Sequence, residues 1–389
     1  MTSSIAGLRV GIIGTGWMAA THTEALRRLG VDVVGVAGRT HDRAKEAAHK
    51  SGLSVAYQSV DELLGDASLV AVHVTSPNDV HAEQAAAVLR AGRHVICEKP
   101  LGVSAAESRE LVELAAHTGL VNAVCFNLRF APHNSNAAGM VRDGSIGSPR
   151  YVTGGYHQDW LLLETDWNWR LVSDRQGSLR AVADIGSHWL DLVRFVTGLR
   201  VVEVLADLHT FVPERNHPLG AVETFAQSPA DAPRVREEMA SDDAAGILLR
   251  FENGARGLCS VSQVAAGRKN RLTWELNGSD ASLAWTSEDP EFLWVGHRGR
   301  PNEMIPKDSA LMSATGAAAT GYPAGHIEGY PDTFRALFEA VYAEIAAGGP
   351  SATPAYPTFA DGHDVALICE AVTESAESSA WAPVRRTFP

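Results

Sequence analysis

Cysteine is scarce in this sequence, basic residues are outnumbered by acidic ones, and long apolar runs are missing. The four cysteines are widely scattered, and no spacing between them suggests a zinc site or a disulfide framework. The formal net charge of −13 at pH 7 argues against nucleic acid or an anionic membrane as the main partner. No apolar run reaches the roughly 18 residues that a membrane span needs. These features exclude several classes of protein before any motif is considered.

The first ten residues, MTSSIAGLRV, also lack the charged and apolar regions of a signal peptide. Together with the low cysteine content, this predicts a cytoplasmic protein. The 389 residues are 45% hydrophobic and 20% charged, as in an ordinary soluble globular protein. A chain of this length is long for a single core, so two domains are expected.

A glycine turn near the N-terminus is the first motif that points to function. In the run VGIIGTGWMA, at residues 10–19, an apolar strand ends at Gly14-Thr15-Gly16 and a helix-compatible segment follows. This pattern is typical of a dinucleotide-binding βαβ unit. Gly14 would allow the tight turn, Gly16 would leave room for the pyrophosphate, and Ala19 would let helix and strand pack closely. The alternative is an ordinary turn, because this glycine pattern is weak by itself.

From residue 8 to residue 126, apolar strands alternate with helical patterns. Strands are predicted at 8–13, 31–37, 69–74, 93–97 and 121–126, with a weaker one near residue 55. Helices are predicted at 17–29, 41–51, 78–91 and 104–118. Such alternation indicates a parallel sheet covered on both faces. Residues 1–126 are therefore predicted to form an α/β Rossmann domain that binds NAD or NADP.

After residue 126 the pattern changes, and residues 127–389 are predicted to form a second domain for substrate binding and oligomerisation. A helix near 131–143, a strand at 149–158 and a helix from about 181 to 197 come first. Strands then follow at 200–212, 244–252, 255–265, 268–277, 281–286 and 292–297, and helices near 331–347 and 359–379. Because many of these strands alternate apolar and polar residues, an antiparallel sheet is expected. Residues 213–243 are interpreted as a long insertion loop, and 300–328 as a loose stretch.

The end of the second predicted strand bears on the choice between NAD and NADP. In an NAD site an acidic residue about 20 residues past the glycine turn binds the ribose hydroxyls. Here that place is Gly38, followed by Arg39 and Thr40. Without a carboxylate a 2′-phosphate meets no repulsion, and a guanidinium can pair with it. The sequence favours NADP over NAD, unless Arg39 only stacks on the adenine or is a solvated helix-start residue.

The fifth predicted strand ends in Glu98-Lys99-Pro100, in the run HVICEKP. Ligands of open α/β sheets bind at the carboxyl ends of the strands, so Lys99 is predicted to lie where the nicotinamide binds. A partly desolvated lysine beside that positively charged ring would have a lowered pKa and could exchange protons near neutral pH. Pro100 would fix the turn, and a cis bond is one way to do so. The alternative is an ordinary surface lysine.

A second chemistry-bearing stretch is ADIGSHWLDL, at residues 183–192. Asp184, His188 and Asp191 are spaced so that all three would share one face of an α-helix. An aspartate beside a histidine can orient the imidazole and set its proton affinity. The pair could equally be hydrogen-bonded within a core. No third and fourth ligands stand at a suitable spacing, so no metal is predicted.

The third stretch is HQDWLLLETDWNWR, at residues 157–170. Its tryptophans stand beside polar residues, an arrangement that suits a carbohydrate, whose C–H faces pack on indole while its hydroxyls form hydrogen bonds. The alternative is the core of a domain junction. The candidate substrate-binding residues here are His157, Trp160, Trp169 and Arg170.

Four motifs in order carry a resemblance to a known family. GTGWMA at 14–19, TSPNDVH at 75–81, EKP at 98–100 and DIGSH at 184–188 together resemble the Gfo/Idh/MocA family, the relatives of glucose-fructose oxidoreductase and inositol dehydrogenase. The resemblance covers essentially the whole chain. It implies a Rossmann domain followed by an α+β domain with an open, mainly antiparallel sheet. The exposed face of that sheet often forms a homodimer or homotetramer in the family.

The resemblance also implies roles for individual residues. Lys99 resembles the lysine that contacts substrate and nicotinamide, while Asp184 and His188 resemble the pair beside the reacting hydroxyl. Arg129, in NLRF, matches an arginine near the substrate.

The tryptophan-rich stretch and the insertion are not general features of the family, and the triple glycine common before the Asp–His helix is reduced here to GSLRAVAD. The full set of predicted cofactor-binding residues is Gly14, Thr15, Gly16, Trp17, Met18, Arg39, Thr40, Ser76, Pro77, Asn78, His81, Glu98 and Lys99.

Motifs and resemblance together predict an NAD(P)-dependent sugar or polyol dehydrogenase. It would transfer a hydride between the nicotinamide and a secondary hydroxyl of a sugar, glycoside or cyclitol. His188 would act as general base, Lys99 would stabilise the developing charge, and Asp184 would orient the pair. Two alternatives remain at this stage: an NAD-dependent glycosidase that oxidises its substrate transiently, and a non-catalytic regulatory protein that senses NADP.

Overall fold

A computed structural model describes residues 4–172, 177–219 and 233–386. The chain divides into two compact units. The first consists of Met1–Asn127 and Pro331–Ala366, and the second of Leu128–Tyr330 and Leu367–Pro389. The sequence analysis expected a single boundary after residue 126. It did not foresee that Pro331–Ala366 belongs to the first unit. None of the helices in the described ranges has the length and apolar character that crossing a membrane requires.

The N-terminal part of the first unit is a parallel sheet with intervening helices. Its elements are β1 (Arg9–Ile13), α1 (Trp17–Arg28), β2 (Asp32–Ala37), α2 (His41–Ser51), β3 (Val55–Ala56), α3 (Val60–Gly65), β4 (Ala71–Val74), α4 (His81–Arg90), β5 (His94–Cys97), α5 (Ala105–Thr118) and β6 (Asn122–Val124). The strand order is β3-β2-β1-β4-β5-β6, and every pair is parallel. The predicted Rossmann fold is confirmed.

Helix α3 is the element of this sheet region that the sequence analysis missed. Ser59 accepts a hydrogen bond from the backbone N–H of Glu62, the contact that begins the helix. The spacing S-x-x-E is a recognised helix-start signal. The helix has only six residues, too few for an apolar periodicity to be visible.

The remaining elements of the chain begin with α6 (Pro132–Arg142) and β7 (Pro149–His157). They continue as α7 (Ser187–Thr197), β8 (Val201–His209), β9 (Glu214–Pro218), β10 (Arg234–Glu238), β11 (Ala244–Phe251), β12 (Arg256–Ser262), β13 (Arg271–Gly278), β14 (Ser282–Thr286), β15 (Phe292–Gly296), β16 (Glu303–Pro306), α8 (Ala314–Ala319), α9 (Tyr330–Ala347), α10 (Phe359–Ser378) and β17 (Ala382–Pro383). Most of α9 and the start of α10 belong to the first unit.

An open nine-stranded sheet forms the centre of the second unit. Its order is β16-β15-β14-β13-β7-β12-β11-β8-β17, and all neighbours are antiparallel except β7 and β12. Buried and more exposed residues alternate along β11 and β12 because one face of the sheet packs on a core that includes Trp189. The predicted mainly antiparallel sheet is confirmed.

The structure corrects three sequence predictions in this unit. The stretch 213–243 is not only a loop, because β9 and β10 pair as an antiparallel hairpin, here called the insertion hairpin; residues 220–232 lie outside the described part. The stretch 300–328 contains β16 and α8. The helix expected from about residue 181 begins as a π-helix over Val182–Gly186 and becomes α-helical at Ser187. The wider π turn changes the angular spacing on which the shared-face argument for Asp184 and His188 depended.

Candidate functional site

The glycine turn after β1 has the geometry that the sequence predicts. Gly14 has φ +119°, and a Cβ there would lie 2.4 Å from the hydroxyl oxygen of Thr75, so only glycine fits. A Cβ at Gly16 would meet nothing within 4 Å, which leaves the start of α1 open. No side chain caps α1, and its first turn contains no acidic residue. The positive end of the helix dipole therefore favours an anion at this end.

The end of β2 carries the residues predicted to select the cofactor. A Cβ at Gly38 would lie 2.6 Å from the side-chain methyl of Thr15, so a larger residue at this position would require a shift. The Arg39 side chain is exposed. Thr40 caps α2 by accepting a hydrogen bond from the N–H of Arg43, at 3.4 Å. The close packing of Gly38 against the glycine turn thus explains why this position has no side chain. Arg39 remains accessible to a ligand.

The loop after β4 contains Ser76, Pro77 and Asn78, and a short 3-10 helix begins at Asn78. Ser76 donates its hydroxyl to Gln84 Oε1, at 2.6 Å. The buried imidazole of His81 lies 2.7 Å from the carbonyl oxygen of Ser76 and 2.8 Å from that of Pro100. His81 therefore joins this loop to the turn that follows β5.

Glu98, at the end of β5, holds the backbone of Lys99. Its Oε2 accepts the Lys99 N–H at 3.2 Å, and its Oε1 lies 3.0 Å from Nε2 of His22 on α1. The Lys99–Pro100 peptide is cis, the form that the sequence analysis considered for this turn. Glu98 is buried, whereas Lys99 is half-buried at the carboxyl end of the strand. The position is the one predicted for a residue that meets a bound ligand.

A buried chain of polar groups continues from Glu98 through this unit. His22 Nδ1 lies 2.9 Å from His73 Nδ1, and His73 Nε2 lies 2.8 Å from the Tyr342 hydroxyl. Burial lowers the pKa of His73 and raises the pKa of Tyr342, so both are neutral. An arrangement in which each group donates a hydrogen bond toward Glu98 satisfies all of these contacts. The sequence analysis missed His73 and Tyr342, which are 269 positions apart.

His22 and Glu98 also form, with Cys125, a group of metal-ligating types whose ligand atoms lie within 4.8 Å of one another. All three are buried. Burial raises the pKa of the Cys125 thiol, which favours the protonated form over the thiolate that binds metals. The contacts between these side chains are hydrogen bonds, at 3.0 Å for His22–Glu98 and 3.8 Å for Cys125–His22.

In the second unit, both carboxylate oxygens of Asp184 are engaged. Arg170 Nε donates to Oδ1 at 3.1 Å, and Gln263 Nε2 donates to Oδ2 at 2.8 Å. Asp184 is buried, and its charge adds to burial in raising the pKa of Tyr156. Sequence reasoning missed Gln263, which follows β12 and approaches Asp184 only through the fold. Two fixed donors hold this carboxylate in one orientation.

His188 lies at the start of α7, directly after the π-helical turn that carries Asp184. It is half-buried, and its ring stands edge-on to Tyr156, with the centroids 6.2 Å apart. Tyr156 in turn donates its hydroxyl to Asn270 Oδ1, at 2.6 Å. The ring packing restricts the imidazole on one side.

Arg129 and Asp191 form a buried ion pair in this unit. Arg129 Nε and Nη2 donate to the two oxygens of Asp191 at 2.8 and 2.5 Å, and the guanidinium lies 5.1 Å from the centre of the Phe195 ring. The side chains are 9% and 1% exposed. The third residue of the predicted Asp–His–Asp face thus holds the arginine that was predicted to bind substrate, a structural role that the sequence analysis did not foresee.

The other predicted substrate-binding residues lie on β7 or on residues 160–171, here called the tryptophan loop. His157 Nε2 lies 2.9 Å from the Ser260 hydroxyl, and Trp160 donates its indole N–H to Gln158 Oε1 at 2.8 Å. The Arg170 guanidinium lies over the Trp169 ring, 4.5 Å from its centre. Trp160 and Trp169 are partly exposed, as expected of side chains that could pack on a ligand.

Comparison with known proteins identifies the family of this chain. The pattern described as "Oxidoreductase family, NAD-binding Rossmann fold" matches residues 8–126, and that of the "GFO/IDH/MocA C-terminal domain" matches residues 135–284. The chain belongs to the Gfo/Idh/MocA oxidoreductase family. Levoglucosan dehydrogenase of Pseudarthrobacter phenanthrenivorans is 30% identical over 392 residues, spanning 97% of this chain and 98% of the relative.

Two solved structures resemble nearly the whole chain. An oxidoreductase domain protein from Kribbella flavida shares 33% identity with a TM-score of 0.87, covering 98% of this chain and all of the other. Levoglucosan dehydrogenase in complex with NADH and levoglucosan shares 28% identity, with the same TM-score and the same coverage. The predicted family, and with it an oxidoreductase that has an NAD-binding Rossmann fold, is confirmed.

The residues of this Gfo/Idh/MocA protein fit a dinucleotide. The open space at Gly16, the positive φ of Gly14 and the uncapped start of α1 form a cradle for a pyrophosphate. The exposed Arg39 stands at the strand end where the adenosine ribose binds in such folds. The roles of the individual site residues remain predictions.

Proposed function

We propose that this protein is a dehydrogenase that acts on a secondary hydroxyl of a sugar, glycoside or cyclitol. The observation that carries the proposal is the arrangement in the second unit, where Arg170 links the tryptophan loop to Asp184 at 3.1 Å. Partly exposed indoles beside a fixed carboxylate suit a ring that has C–H faces and hydroxyls. The likeness to levoglucosan dehydrogenase along nearly the full chain supports a carbohydrate substrate.

Three side chains carry the proposed chemistry. A bound nicotinamide cofactor would supply the acceptor for the hydride of the carbinol carbon. His188 accepts the hydroxyl proton, and Lys99 donates a hydrogen bond to the same oxygen and stabilises its developing negative charge. Asp184, whose two carboxylate oxygens accept hydrogen bonds from Arg170 and Gln263, is proposed to orient the pair. The His22–Glu98 pair fixes the Lys99 backbone so that little reorganisation is needed during the reaction.

We propose NADP as the preferred cofactor, with NAD as the alternative. The absence of a carboxylate at Gly38 and the exposed Arg39 beside it support this preference. The tight packing of Gly38 against Thr15 also disfavours an acidic side chain at that place. A relative has been solved with NADH, so the proposed preference for NADP rests on this chain's own residues at the ribose position.

Replacing Arg39 with alanine tests the cofactor preference. We expect the KM for NADP to rise by at least about tenfold, because a charge-assisted hydrogen bond to the 2′-phosphate is lost, while the KM for NAD changes little. Arg90→Ala is the matched control, since Arg90 is exposed at the end of α4. Equal changes in the two KM values, or none, would contradict a role for Arg39 in phosphate recognition.

The substrate class is tested by a screen of the purified protein with NAD and with NADP. Sugars, anhydrosugars, glycosides and cyclitols are offered one at a time, and absorbance of the reduced cofactor is followed. We expect turnover with a cyclic sugar or cyclitol. Hydrolysis of a chromogenic glycoside without net cofactor reduction would instead indicate a glycosidase, and binding of NADP without any turnover would indicate a sensor.

We also propose a homodimer or homotetramer. The sheet of the second unit exposes Leu248 and Leu258, which pair directly across β11 and β12, and Tyr151 lies on the neighbouring strand. Adjacent exposed apolar side chains on a sheet face are typical of a surface that contacts another subunit. Light scattering of the purified protein should give two or four times the mass of the chain, and a monomer would contradict the proposal.

A further inference from the structure

The insertion hairpin carries a fully buried arginine. Arg215 Nη1 donates to the carbonyl oxygen of Leu163, and Nη2 to that of Leu161, each at 2.9 Å. Nη2 also donates to Asp243 Oδ1, at 3.0 Å. Both carbonyls belong to the tryptophan loop. A planar guanidinium can serve these acceptors together, whereas a lysine ammonium cannot reproduce the fork.

Further contacts join the hairpin to the same loop. The backbone N–H of Asn216 donates to the carbonyl oxygen of Glu164 at 2.8 Å. The His217 ring stacks on Trp167, with the centroids 3.9 Å apart and the planes 11° from parallel. Trp167 itself packs with Leu161 in a small apolar cluster. Backbone, ring and guanidinium contacts thus hold the tryptophan loop against the hairpin.

A buried polar route leads from Arg215 to Asp184. Asp243 accepts hydrogen bonds from both Arg215 and Arg180. Arg180 Nη1 donates to Gln263 Oε1 at 2.8 Å, and Gln263 Nε2 donates to Asp184 Oδ2 at 2.8 Å. The three intermediate residues are at most 1% exposed. Charges satisfied in this way have little freedom to reorient.

A second route reaches the other oxygen of the same carboxylate. The tryptophan loop that Arg215 anchors also carries Arg170, whose Nε donates to Asp184 Oδ1 at 3.1 Å. Asn168 orients Arg170 by accepting its backbone N–H at 3.1 Å. The two routes therefore begin at one arginine of the insertion and end on the two oxygens of Asp184.

We infer that Arg215 is a positioning residue that makes the insertion hairpin a determinant of carbohydrate selectivity. It fixes the indoles of the tryptophan loop relative to the Asp184 carboxylate. A surface held in this way accepts a rigid cyclic sugar and discriminates against a flexible open-chain polyol, which must lose more conformational freedom to match it. The inference rests on the proposed carbohydrate dehydrogenase function and names the part of the chain that selects the substrate.

Arg215→Lys tests the inference, because the charge stays while the fork is lost. We expect kcat/KM for the best cyclic sugar from the screen to fall by at least about tenfold, since a small misplacement of reacting groups is costly. The ratio of kcat/KM for that sugar to kcat/KM for an open-chain polyol should fall as well. The KM for the cofactor should stay within about twofold of the wild-type value. A merely structural role would lower the amount of active protein and leave this ratio unchanged.

Arg236→Ala is the matched control, because Arg236 lies on β10 of the same hairpin and its side chain is 72% exposed in a surface pair with Glu214. We expect wild-type kinetics from it. If Arg215→Lys fails to fold, His217→Ala serves instead, since it removes the stack on Trp167 from a position that is 36% exposed. The sugar-to-polyol ratio should then fall by about threefold or more, in line with the loss of one aromatic contact.

Hydrogen exchange separates failure of this inference from failure of the proposed function. In Arg215→Lys we expect faster exchange in residues 160–171, with unchanged exchange in β1–β5 and no effect of Arg236→Ala. If the wild-type protein oxidises no carbohydrate, the proposed function fails while the exchange result still tests the anchoring by Arg215. Wild-type selectivity or wild-type exchange in Arg215→Lys would overturn the inference.

Discussion

Replacing Lys99 with alanine should lower kcat by at least about a hundredfold while leaving cofactor affinity within about twofold of the wild-type value. The amine is the group proposed to stabilise negative charge on the reacting oxygen, and alanine leaves that charge without a donor. The main chain should be little disturbed, because the contact with Glu98 is made by the backbone N–H of residue 99. Steady-state rates and a cofactor titration followed by tryptophan fluorescence measure the two quantities.

Lys45→Ala is the control for Lys99→Ala, because the Lys45 side chain is 58% exposed on α2, in an ion pair of the helix surface. We expect it to keep wild-type kcat. A kcat for Lys99→Ala within about tenfold of wild type would remove the lysine from the proposed chemistry. A large loss of cofactor affinity would instead assign Lys99 to cofactor binding.

The first unit was predictable because its signals are local. The strand ends and the glycine turn follow from short apolar runs and from two glycines with separate steric roles, and α2 begins and ends at the predicted residues. The return of Pro331–Ala366 to this unit was not predictable in the same way. The contact of His73 with Tyr342 depends on that return, and no spacing in the sequence connects the two residues.

The second unit shows where local reasoning fails. The strands of the insertion hairpin read ERNHP and RVREE, without the apolar alternation that marks β11. Their position depends on the buried Arg215, whose partners lie 28 to 54 residues away in the chain. The π-helical turn at Val182–Gly186 likewise has no sequence signal comparable to a capping residue. The π-helical turn carries Asp184, and the hairpin is connected to it only through Asp243, Arg180 and Gln263. Asp184 could therefore be chosen from its motif, although these partners could not.

Replacing Arg129 with methionine should lower the free energy of unfolding by about 3–5 kcal/mol, because the Asp191 carboxylate would be left buried without its partner. The Asp191 side chain is 1% exposed and accepts two hydrogen bonds from this guanidinium. Urea unfolding of the wild-type protein and of Arg129→Met at neutral pH gives the difference in the free energy of unfolding. A loss below about 1 kcal/mol would show that the pair behaves like an exposed ion pair.

The double variant Arg129→Met/Asp191→Leu should recover most of that stability, because apolar side chains of similar size can replace a buried ion pair without a large penalty. With that stability recovered, the kinetics of the double variant test for a direct contact between Arg129 and the substrate. A KM for the sugar at least about tenfold above wild type would support the substrate contact that the NLRF motif predicts, whereas a wild-type KM would assign Arg129 to the core alone.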